Sequence, residues 1–276
     1  MDNHMSLRNN APATCQNYLR GIRELMLHLG KVPEDCTADE LKAYLVFARD
    51  QQHLSSSSVN LRVCGLKYYC REVVNRLDLV VKIPNPRIQK YDTEILTTQE
   101  IQRLFGACRD IRQLLVLQLI YETGLRVREV VRLRVCDFDK QLRTIAIRNS
   151  KGQKTRTVPY GDQLRNTLNQ YCVVRGGIPK NTLIESLSEP TTPLSCRGIQ
   201  HIVRQAVRRS RIKKQVHPHT LRHTFAVHYL NFGGTLPDLQ RLLGQQFIST
   251  TLHYLKYAHL AEHESVSVLD RLMQHT

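Results

Sequence analysis

One stretch of the chain, residues 217–254, contains three residue types that together can act on a phosphodiester. His219 and Arg222 lie three positions apart in a helical pattern, so we expect both side chains on one face. Tyr254 stands at the end of the stretch. A guanidinium group matches phosphate oxygens, and a tyrosine hydroxyl, with an ordinary pKa of about 10, can act as a nucleophile once cations or a base help it to ionise. The combination favours attack by tyrosine on a phosphodiester.

Successive helices must bring these side chains together. The apolar helical pattern that follows residue 217 is interrupted at Gly233 and Gly234, and a second apolar helix then ends at Gly244. Taken singly, the three residues are weak indicators. A His beside an Arg on a helix is most often a structural pair, and a Tyr at helical spacing usually belongs to the core.

The longer motif that contains these residues is H-x-x-R-H-T…L-L-G-x-x-x-I-S-T-T-x-x-Y. It resembles the tyrosine recombinases, also called phage-type integrases, and is most similar to the bacterial Xer and integron integrases. Members of that family cleave DNA with a tyrosine, two arginines, a lysine, a histidine and a further His or Trp. The resemblance covers most of the chain and is strongest over residues 97–258. It implies that Tyr254 is the nucleophile and that His219 and Arg222 belong to the catalytic set.

Arg126 matches the first arginine of that set. Residues 113–121 are nearly all apolar, which predicts a buried helix, and this helix runs directly into E-T-G-L-R at 122–126. Glu129 lies three positions further on, where it can orient the guanidinium, although an ordinary surface ion pair has the same spacing. Because T-G-L-R-x-x-E is similar to the family's first arginine motif, the resemblance implies that Arg126 is catalytic and Glu129 orients it.

A β-hairpin is predicted between residues 142 and 158. Two short strand-like runs, 142–148 and 155–158, flank the turn sequence N-S-K-G-Q-K. Most lysines at a hairpin tip only discourage edge pairing. Since K-G-x-K-x-R-x-V-P is similar to the family's pattern, the resemblance implies that Lys151 is the catalytic lysine, with Lys154 as the second choice.

The sequence departs from the family at one position of the catalytic set. In the family, L-L-G is normally followed by His and less often by Trp, whereas here it is followed by Gln245. An amide keeps two hydrogen-bond donors but cannot titrate or carry a positive charge. We include Gln245 in the catalytic set and expect reduced activity. Either Gln245 is native to a slow recombinase, or it replaces a histidine.

The charge of the chain indicates a polyanionic partner. Its net charge is +16, with 13 Lys/Arg against 10 Asp/Glu in residues 1–92 and 27 against 14 in residues 93–276. Nucleic acid is the simplest such partner, and a basic surface that serves only solubility is the alternative. A helix predicted over residues 198–214 is rich in arginine and lysine. The candidate DNA-binding residues are Lys67, Arg71, Arg204, Arg208, Lys213 and Lys214.

The fold is predicted to be mainly α, in two domains. Residues 1–12 look disordered, and three apolar helical stripes follow, one of which starts at a capping box of Thr37 and Glu40. By resemblance, residues 1–88 form a SAM-like helical core-binding domain. Residues 89–96 form a linker, which overlaps a proline-containing basic stretch at 82–94. Residues 97–276 form a mixed α+β catalytic domain with a small antiparallel sheet and a C-terminal tail helix.

Several classes of protein are excluded by composition. The eight cysteines form no C-x-x-C pair and no metal-binding spacing, so we expect reduced thiols and no metal. No apolar run approaches the roughly 20 residues needed to cross a bilayer, and no targeting segment is evident. We therefore expect a cytoplasmic protein of the bacterial nucleoid, without a cofactor and without a membrane partner.

The resemblance implies a site-specific DNA recombinase that cuts and rejoins strands through a 3′-phosphotyrosyl intermediate and a Holliday junction, in integration, excision, inversion or transposition of mobile DNA. Its expected partner is double-stranded DNA with inverted-repeat core sites, bound by a homo-tetramer that exchanges the C-terminal tail between protomers. Two alternatives remain open. One is DNA relaxation like that of type IB topoisomerases, and the other is a catalytically impaired DNA-binding protein, which only Gln245 favours.

Overall fold

The computed structural model describes residues 1–8, 10–86, 92–148, 155–186 and 192–258 of the 276-residue chain. The chain divides into two compact units, Met1–Tyr91 and Asp92–Thr276. Each unit buries its own hydrophobic cluster, so each can be understood from its own elements.

The regular elements in the described residues of the first unit are all helices. Its α-helices are α1 (Asp2–Leu7), α2 (Pro12–Leu29), α3 (Ala38–Asp50), α4 (Ser56–Glu72) and α5 (Leu77–Lys82), with a 3-10 helix at Pro33–Asp35. The predicted capping box starts α3, because the Thr37 hydroxyl accepts from the Glu40 amide and the Glu40 carboxylate accepts from the Thr37 amide at 2.8 Å. Leu41, Tyr44 and Leu66 form the centre of this core.

The prediction that residues 1–12 are disordered is wrong. Residues 2–7 form α1, the side chain of Met5 is fully buried, and Nδ1 of His4 lies 3.0 Å from the Tyr68 hydroxyl. A helix this short has little stability of its own and depends on tertiary packing. The polar composition of residues 1–12 does not reveal that packing, so it did not predict the helix.

The second unit combines helices with one small sheet. Its helices are α6 (Thr98–Gly106), α7 (Ile111–Thr123), α8 (Val127–Arg132), α9 (Asp162–Arg175), α10 (Cys196–Ser210), α11 (Pro218–Asn231), α12 (Leu236–Leu243) and α13 (Ile248–Leu252). Its strands are β1 (Phe138–Asp139), β2 (Thr144–Ile147) and β3 (Arg156–Pro159). Two 3-10 helices span Val135–Asp137 and His253–Lys256.

The sheet is antiparallel, in the order β1-β2-β3, and confirms the predicted hairpin. Ile145 pairs with Val158, and Ile147 pairs with Arg156. Side chains alternate between the two faces of a strand, so these four side chains lie on the same, buried face. The predicted tip of the hairpin falls outside the described residues.

Helix α7 is the buried helix that the apolar run predicted. It ends at Gly124, which has a left-handed φ of 61°. A Cβ at this position would lie 2.7 Å from the Phe225 ring and 2.8 Å from a methyl group of Leu243. The absence of a side chain at Gly124 therefore allows the end of α7 to approach α11 and α12, immediately before Arg126.

The basic helix α10 is shorter than predicted. It ends at Ser210, because Arg211 adopts a left-handed φ of 56°, so Lys213 and Lys214 lie beyond the helix. All eight cysteines lie in the described ranges and carry free thiols. Among the helices that the structure describes, none is both long and apolar enough to cross a membrane.

Candidate active site

Tyr254 lies in the 3-10 helix that follows α13 and is only 3% exposed. Its hydroxyl is 3.1 Å from Nδ1 of His223, one position after Arg222 on α11. His223 is not among the site residues predicted from the sequence, although the H-x-x-R-H string places it four residues after His219 and hence on the same helical face. The tyrosine is thus in direct contact with the helix that carries the His–Arg pair.

Arg222 is fixed by the backbone of two other helices. Its Nη1 donates to the carbonyl of Gly124, and its Nη2 donates to the carbonyl of Leu243 at 2.8 Å. The residue is 4% exposed, and burial together with the charge of Arg126 lowers its pKa to about 10. The guanidinium therefore remains charged at neutral pH and is held in one place by the ends of α7 and α12.

His219 borders a basic cleft in the second unit. Helix α11 begins at His217, whose ring Nδ1 accepts from the Thr220 amide at 3.2 Å. The cleft has a volume of about 730 Å³ and is lined in part by Arg126, Arg204 and His219. Burial, followed by the charges of Arg222, His217 and Arg126, lowers the pKa of His219. The cleft thus combines arginines with neutral imidazole, a suitable surface for phosphate.

Arg126 is the more accessible of the two arginines, since its side chain is 40% exposed. Its amide donates to Oε2 of Glu129 at 2.8 Å, and its Nη1 donates to Oε1 of the same residue at 3.2 Å. Glu129 therefore both caps the start of α8 and orients the guanidinium, in the geometry that the spacing predicted.

Arg156, which is not among the site residues predicted from the sequence, also contacts Glu129. Its Nη1 and Nη2 each lie 2.8 Å from an oxygen of Glu129, and its Nε donates to the Leu242 carbonyl at 2.7 Å. Burial is the largest single influence on Glu129 and would raise its pKa, but the hydrogen bonds and charges of Arg156 and Arg126 together outweigh burial and hold the pKa below its ordinary value. The x-R-x-V-P pattern does place Arg156 on the same strand face as the buried Val158, and this was the available indication.

Gln245 connects the end of α12 to the segment that carries the tyrosine. Its Oε1 accepts a hydrogen bond from the Thr251 hydroxyl at 2.6 Å, and Thr251 is fully buried on α13. The backbone N–H of Gln245 donates to the backbone carbonyl of Gln240 at 3.1 Å, and the backbone carbonyl of Gln245 accepts from Nε2 of Gln240 at 3.1 Å. The side-chain carbonyl is therefore engaged by Thr251, and the Nε2 hydrogens remain as donors.

Two protein-family models match the chain. The model of the phage integrase family matches residues 94–263, and the model of the phage integrase N-terminal SAM-like domain matches residues 1–77. The chain belongs to the phage integrase family. The predicted architecture is thereby confirmed, namely a SAM-like N-terminal domain and a mostly helical fold with a small antiparallel sheet.

Relatives of this phage integrase family member carry consistent names. A putative integrase/recombinase, y4qK of Sinorhizobium fredii, is 30% identical over 94% of this chain and 83% of its own length. A tyrosine recombinase of Pseudothermotoga lettingae is 34% identical over 82% of this chain and 79% of its own length. The protein is therefore a site-specific tyrosine recombinase, and the topoisomerase-like and non-cleaving alternatives are not favoured.

The fold of this tyrosine recombinase is shared with solved structures. The lambda integrase in a crystal structure of a tetramer bound to a Holliday junction has a TM-score of 0.76 and 20% sequence identity. The match covers 92% of this chain and 74% of that chain. At this level of identity the likeness establishes the fold alone.

The predicted DNA-binding residues of the recombinase have different surroundings. Arg204 and Arg208 on α10, and Lys213 after it, are exposed. Lys214 is partly buried, and its ammonium donates to Glu100 at 2.7 Å and to the Ile95 carbonyl at 2.8 Å, so contact with DNA stays a prediction that must compete with these partners.

In the first unit, the two predicted DNA-binding residues on α4 also have neighbours. Lys67 donates to the side-chain carbonyl of Asn85 at 2.9 Å, and Arg71 lies 3.4 Å from Glu72. Both contacts are at the surface and can be exchanged for phosphate. The predicted Lys151, its alternative Lys154 and the C-terminal tail beyond Ala258 lie outside the described residues.

Proposed function

We propose that this recombinase cuts DNA through attack of the Tyr254 hydroxyl on a scissile phosphate, which leaves a 3′-phosphotyrosyl link and a free 5′ hydroxyl. The covalent link conserves the energy of the broken bond, so rejoining requires no nucleotide cofactor. Attack by the 5′ hydroxyl of another strand completes the exchange through a Holliday junction. The observation that carries the proposal is the contact between the Tyr254 hydroxyl and α11, the helix that presents His219 and Arg222.

The arginines bind the phosphate in this proposal. Arg222 is already fixed by two carbonyls, and Arg126 by Glu129, so neither guanidinium must reorganise as charge develops on the non-bridging oxygens. Preorganised donors of this kind stabilise the transition state more than the ground state. His219 hydrogen-bonds the phosphate or assists proton transfer, and Lys151 protonates the leaving 5′ oxygen.

Gln245 takes the place of the further His or Trp. Its Nε2 group donates a hydrogen bond to the scissile phosphate, while its carbonyl remains bound to Thr251. An uncharged amide stabilises the developing negative charge less than an imidazolium does, so the recombinase is expected to be slow.

The proposed partner is double-stranded DNA with inverted-repeat core sites, within the bacterial nucleoid. The net charge of +16 and the basic cleft support it. We also propose a homo-tetramer that exchanges the C-terminal tail between protomers. The tetramer is supported by the fold shared with an integrase that forms a tetramer on a Holliday junction. Residues 1–88 are proposed as the core-binding domain, 89–96 as the linker and 97–276 as the catalytic domain.

The first experiment is to trap the covalent intermediate. A binding site is selected from a pool of random duplexes with the Tyr254→Phe variant, which cannot cleave, and is then synthesised with a nick beside the scissile phosphate. We call this DNA the selected duplex. Wild-type protein is expected to form a covalent adduct that peptide mapping assigns to Tyr254.

Tyr257 offers a matched control, because it lies one turn further along the chain. Its hydroxyl accepts from the Thr93 amide at 3.2 Å and donates to Asp92 at 3.3 Å. Tyr257→Phe should therefore still form the adduct. An adduct on Tyr257, or none on any residue, would contradict the proposal.

A second experiment separates a recombinase from a topoisomerase-like enzyme. A recombinase exchanges strands between two selected duplexes, whereas a topoisomerase-like enzyme only relaxes one supercoiled circle.

A further inference from the structure

The hydroxyl of Tyr254 hydrogen-bonds an imidazole that is distinct from the predicted catalytic histidine. Nδ1 of His223 lies 3.1 Å from the oxygen, and the two rings are 5.5 Å apart with an interplanar angle of 49°. The His219 ring is one helical turn away, at 6.5 Å from the His223 ring. His223 is therefore the imidazole in direct contact with the reacting oxygen.

The surroundings of this contact keep His223 neutral. The groups that face it are His217, which caps α11, His219 and Arg222 from α11, and His253 and Tyr254 from the 3-10 helix. Burial, followed by the influence of His219, Arg222, His217 and His253, lowers the pKa of His223 to about 4. At neutral pH the ring is uncharged, and when its proton is on Nε2 it presents a lone pair at Nδ1.

Solvent is a poor alternative base at this position. Tyr254 is only 3% exposed, so water has little access to its hydroxyl before DNA binds. The nearby arginines carry no proton-accepting atom. A bound scissile phosphate adds negative charge close to His223, which favours the imidazolium form and raises the affinity of Nδ1 for a proton.

We propose that His223 is the base that removes the Tyr254 proton during strand cleavage and returns it during rejoining. As the Tyr254 oxygen bonds to phosphorus, its O–H bond breaks and the proton moves to Nδ1. The bond from phosphorus to the 5′ oxygen breaks at the same time, and that oxygen takes a proton from a separate acid, for which Lys151 is proposed. In the reverse step the His223 imidazolium protonates the departing tyrosine oxygen. The inference rests on the proposed role of Tyr254 as nucleophile.

The test measures single-turnover cleavage of the selected duplex by His223→Asn. Asparagine places a carbonyl oxygen near the position of Nδ1, so it can keep the hydrogen bond but cannot store the proton. Loss of a general base typically costs about 10²–10⁴-fold in rate, and we expect a decrease in that range. The difference in cleavage rate between wild type and His223→Asn should become smaller as pH rises, because hydroxide increasingly ionises the tyrosine without a protein base.

A second substrate separates activation of the nucleophile from protonation of the leaving group. In a 5′-bridging phosphorothiolate duplex the leaving atom is sulfur, and a thiolate leaves without protonation because a thiol is far more acidic than an alcohol. This substrate should restore cleavage by Lys151→Ala but not by His223→Asn.

His228 provides the matched control on the same helix. Its Nδ1 lies 2.9 Å from the Tyr121 hydroxyl, and burial lowers its pKa as well, so His228→Asn makes the same chemical change away from the proposed nucleophile. We expect His228→Asn to cleave at nearly the wild-type rate. Unfolding midpoints and duplex affinities of both variants establish that each protein is folded and binds DNA.

The outcomes are distinguishable from those of the proposed function. If wild-type protein forms no adduct, the function itself fails. If wild-type protein forms the adduct and His223→Asn matches its rate, the role of His223 is overturned while the function stands. Three other results would also overturn a role of His223 as base. The first is that the phosphorothiolate duplex restores the cleavage rate of His223→Asn. The others are that the loss of rate is the same at every pH, or that His228→Asn shows the same loss.

Discussion

Arg156 and Glu129 form a two-point ion pair, in which Nη1 and Nη2 of the arginine each lie 2.8 Å from a carboxylate oxygen. The arginine and glutamate side chains are only 7% and 8% exposed. Because Glu129 also orients Arg126, and Arg156 also holds the carbonyl of Leu242, the pair joins β3 to the start of α8 and the end of α12. The position of Arg126, the more accessible of the two arginines proposed to bind phosphate, thus depends on a buried strand residue.

Removal of one partner of this pair should destabilise the second unit strongly. Arg156→Met leaves the Glu129 carboxylate without its main partner, and breaking a buried pair in this way typically costs about 3–5 kcal/mol. Urea unfolding measures the change in the free energy of unfolding. Arg241→Met is the control, because Arg241 pairs with Asp238 at 2.9 Å on the surface and its loss should cost at most about 1 kcal/mol. Equal losses in both variants would contradict the structural role of Arg156.

The sequence predicted the elements that are specified by residues close to one another in the chain. The capping box at Thr37, the buried α7 that stops at Gly124 and the hairpin all follow from side-chain chemistry within a few residues. The order of residues in α11 to α13 likewise sufficed to bring His219, Arg222 and Tyr254 into one region.

What remained hidden depends on partners distant in sequence. Arg156 and Lys214 are of residue types that usually lie at the surface, yet Arg156 is buried against Glu129 and Lys214 is partly buried against Glu100. An alternating pattern shows that Arg156 faces the core, but it does not show which carboxylate neutralises it. His223 was missed for the same reason, since its partner Tyr254 comes from a different element.

Substitution of Gln245 by histidine should speed cleavage of the selected duplex. A histidine can carry positive charge and transfer a proton, which an amide cannot. Loss of a transition-state donor typically costs about 10²–10³-fold in rate, and Gln245 keeps a donor, so we expect a gain smaller than that range. Single-turnover cleavage measures the rate, and filter binding should show nearly unchanged affinity.

The contact between Thr251 and Gln245 supplies the control for that prediction. Thr251→Val removes the hydroxyl that donates to Oε1 of Gln245 at 2.6 Å and leaves the glutamine itself in place. If Gln245→His cleaves at the same rate as wild type or more slowly, while Thr251→Val is also impaired, the site has been rebuilt around glutamine. The placement of Gln245 in the catalytic set as a substitute for the family's His or Trp would then be wrong.

Acidification should destabilise the folded protein through three histidines of α11 that bind protons less readily than they do in the unfolded chain. The pKa values of His219, His223 and His228 are lowered mainly by burial, so the unfolded chain binds protons more readily than the folded one. The contribution of these histidines to the free energy of unfolding is fully present above their pKa in the unfolded chain, about 6.5. It is lost as pH falls toward their pKa in the folded protein, which is about 4 for His223. Glu129, whose pKa is lowered from an ordinary 4.5, contributes its own loss only at lower pH.

Urea unfolding at several pH values between about 7 and 5 tests this prediction. The free energy of unfolding should decrease with falling pH, and the slope should be shallower in His223→Asn. His201→Asn, which changes an exposed histidine of α10, should leave the slope unchanged. A free energy that is constant over this range would show that the buried imidazoles do not resist protonation.

Salt dependence of DNA binding should distinguish the basic residues that contact phosphate from those used internally. Each phosphate neutralised contributes a slope of about −0.9 to the log of the affinity against the log of the salt concentration. Arg204 is exposed and lines the cleft that contains Arg126 and His219, so Arg204→Ala should make the slope shallower by about that amount. Lys214 is held by Glu100 and the Ile95 carbonyl, so Lys214→Ala should lower the unfolding midpoint and leave the slope nearly unchanged. If the two variants change the slope equally, the ammonium of Lys214 must leave its internal partners when DNA binds.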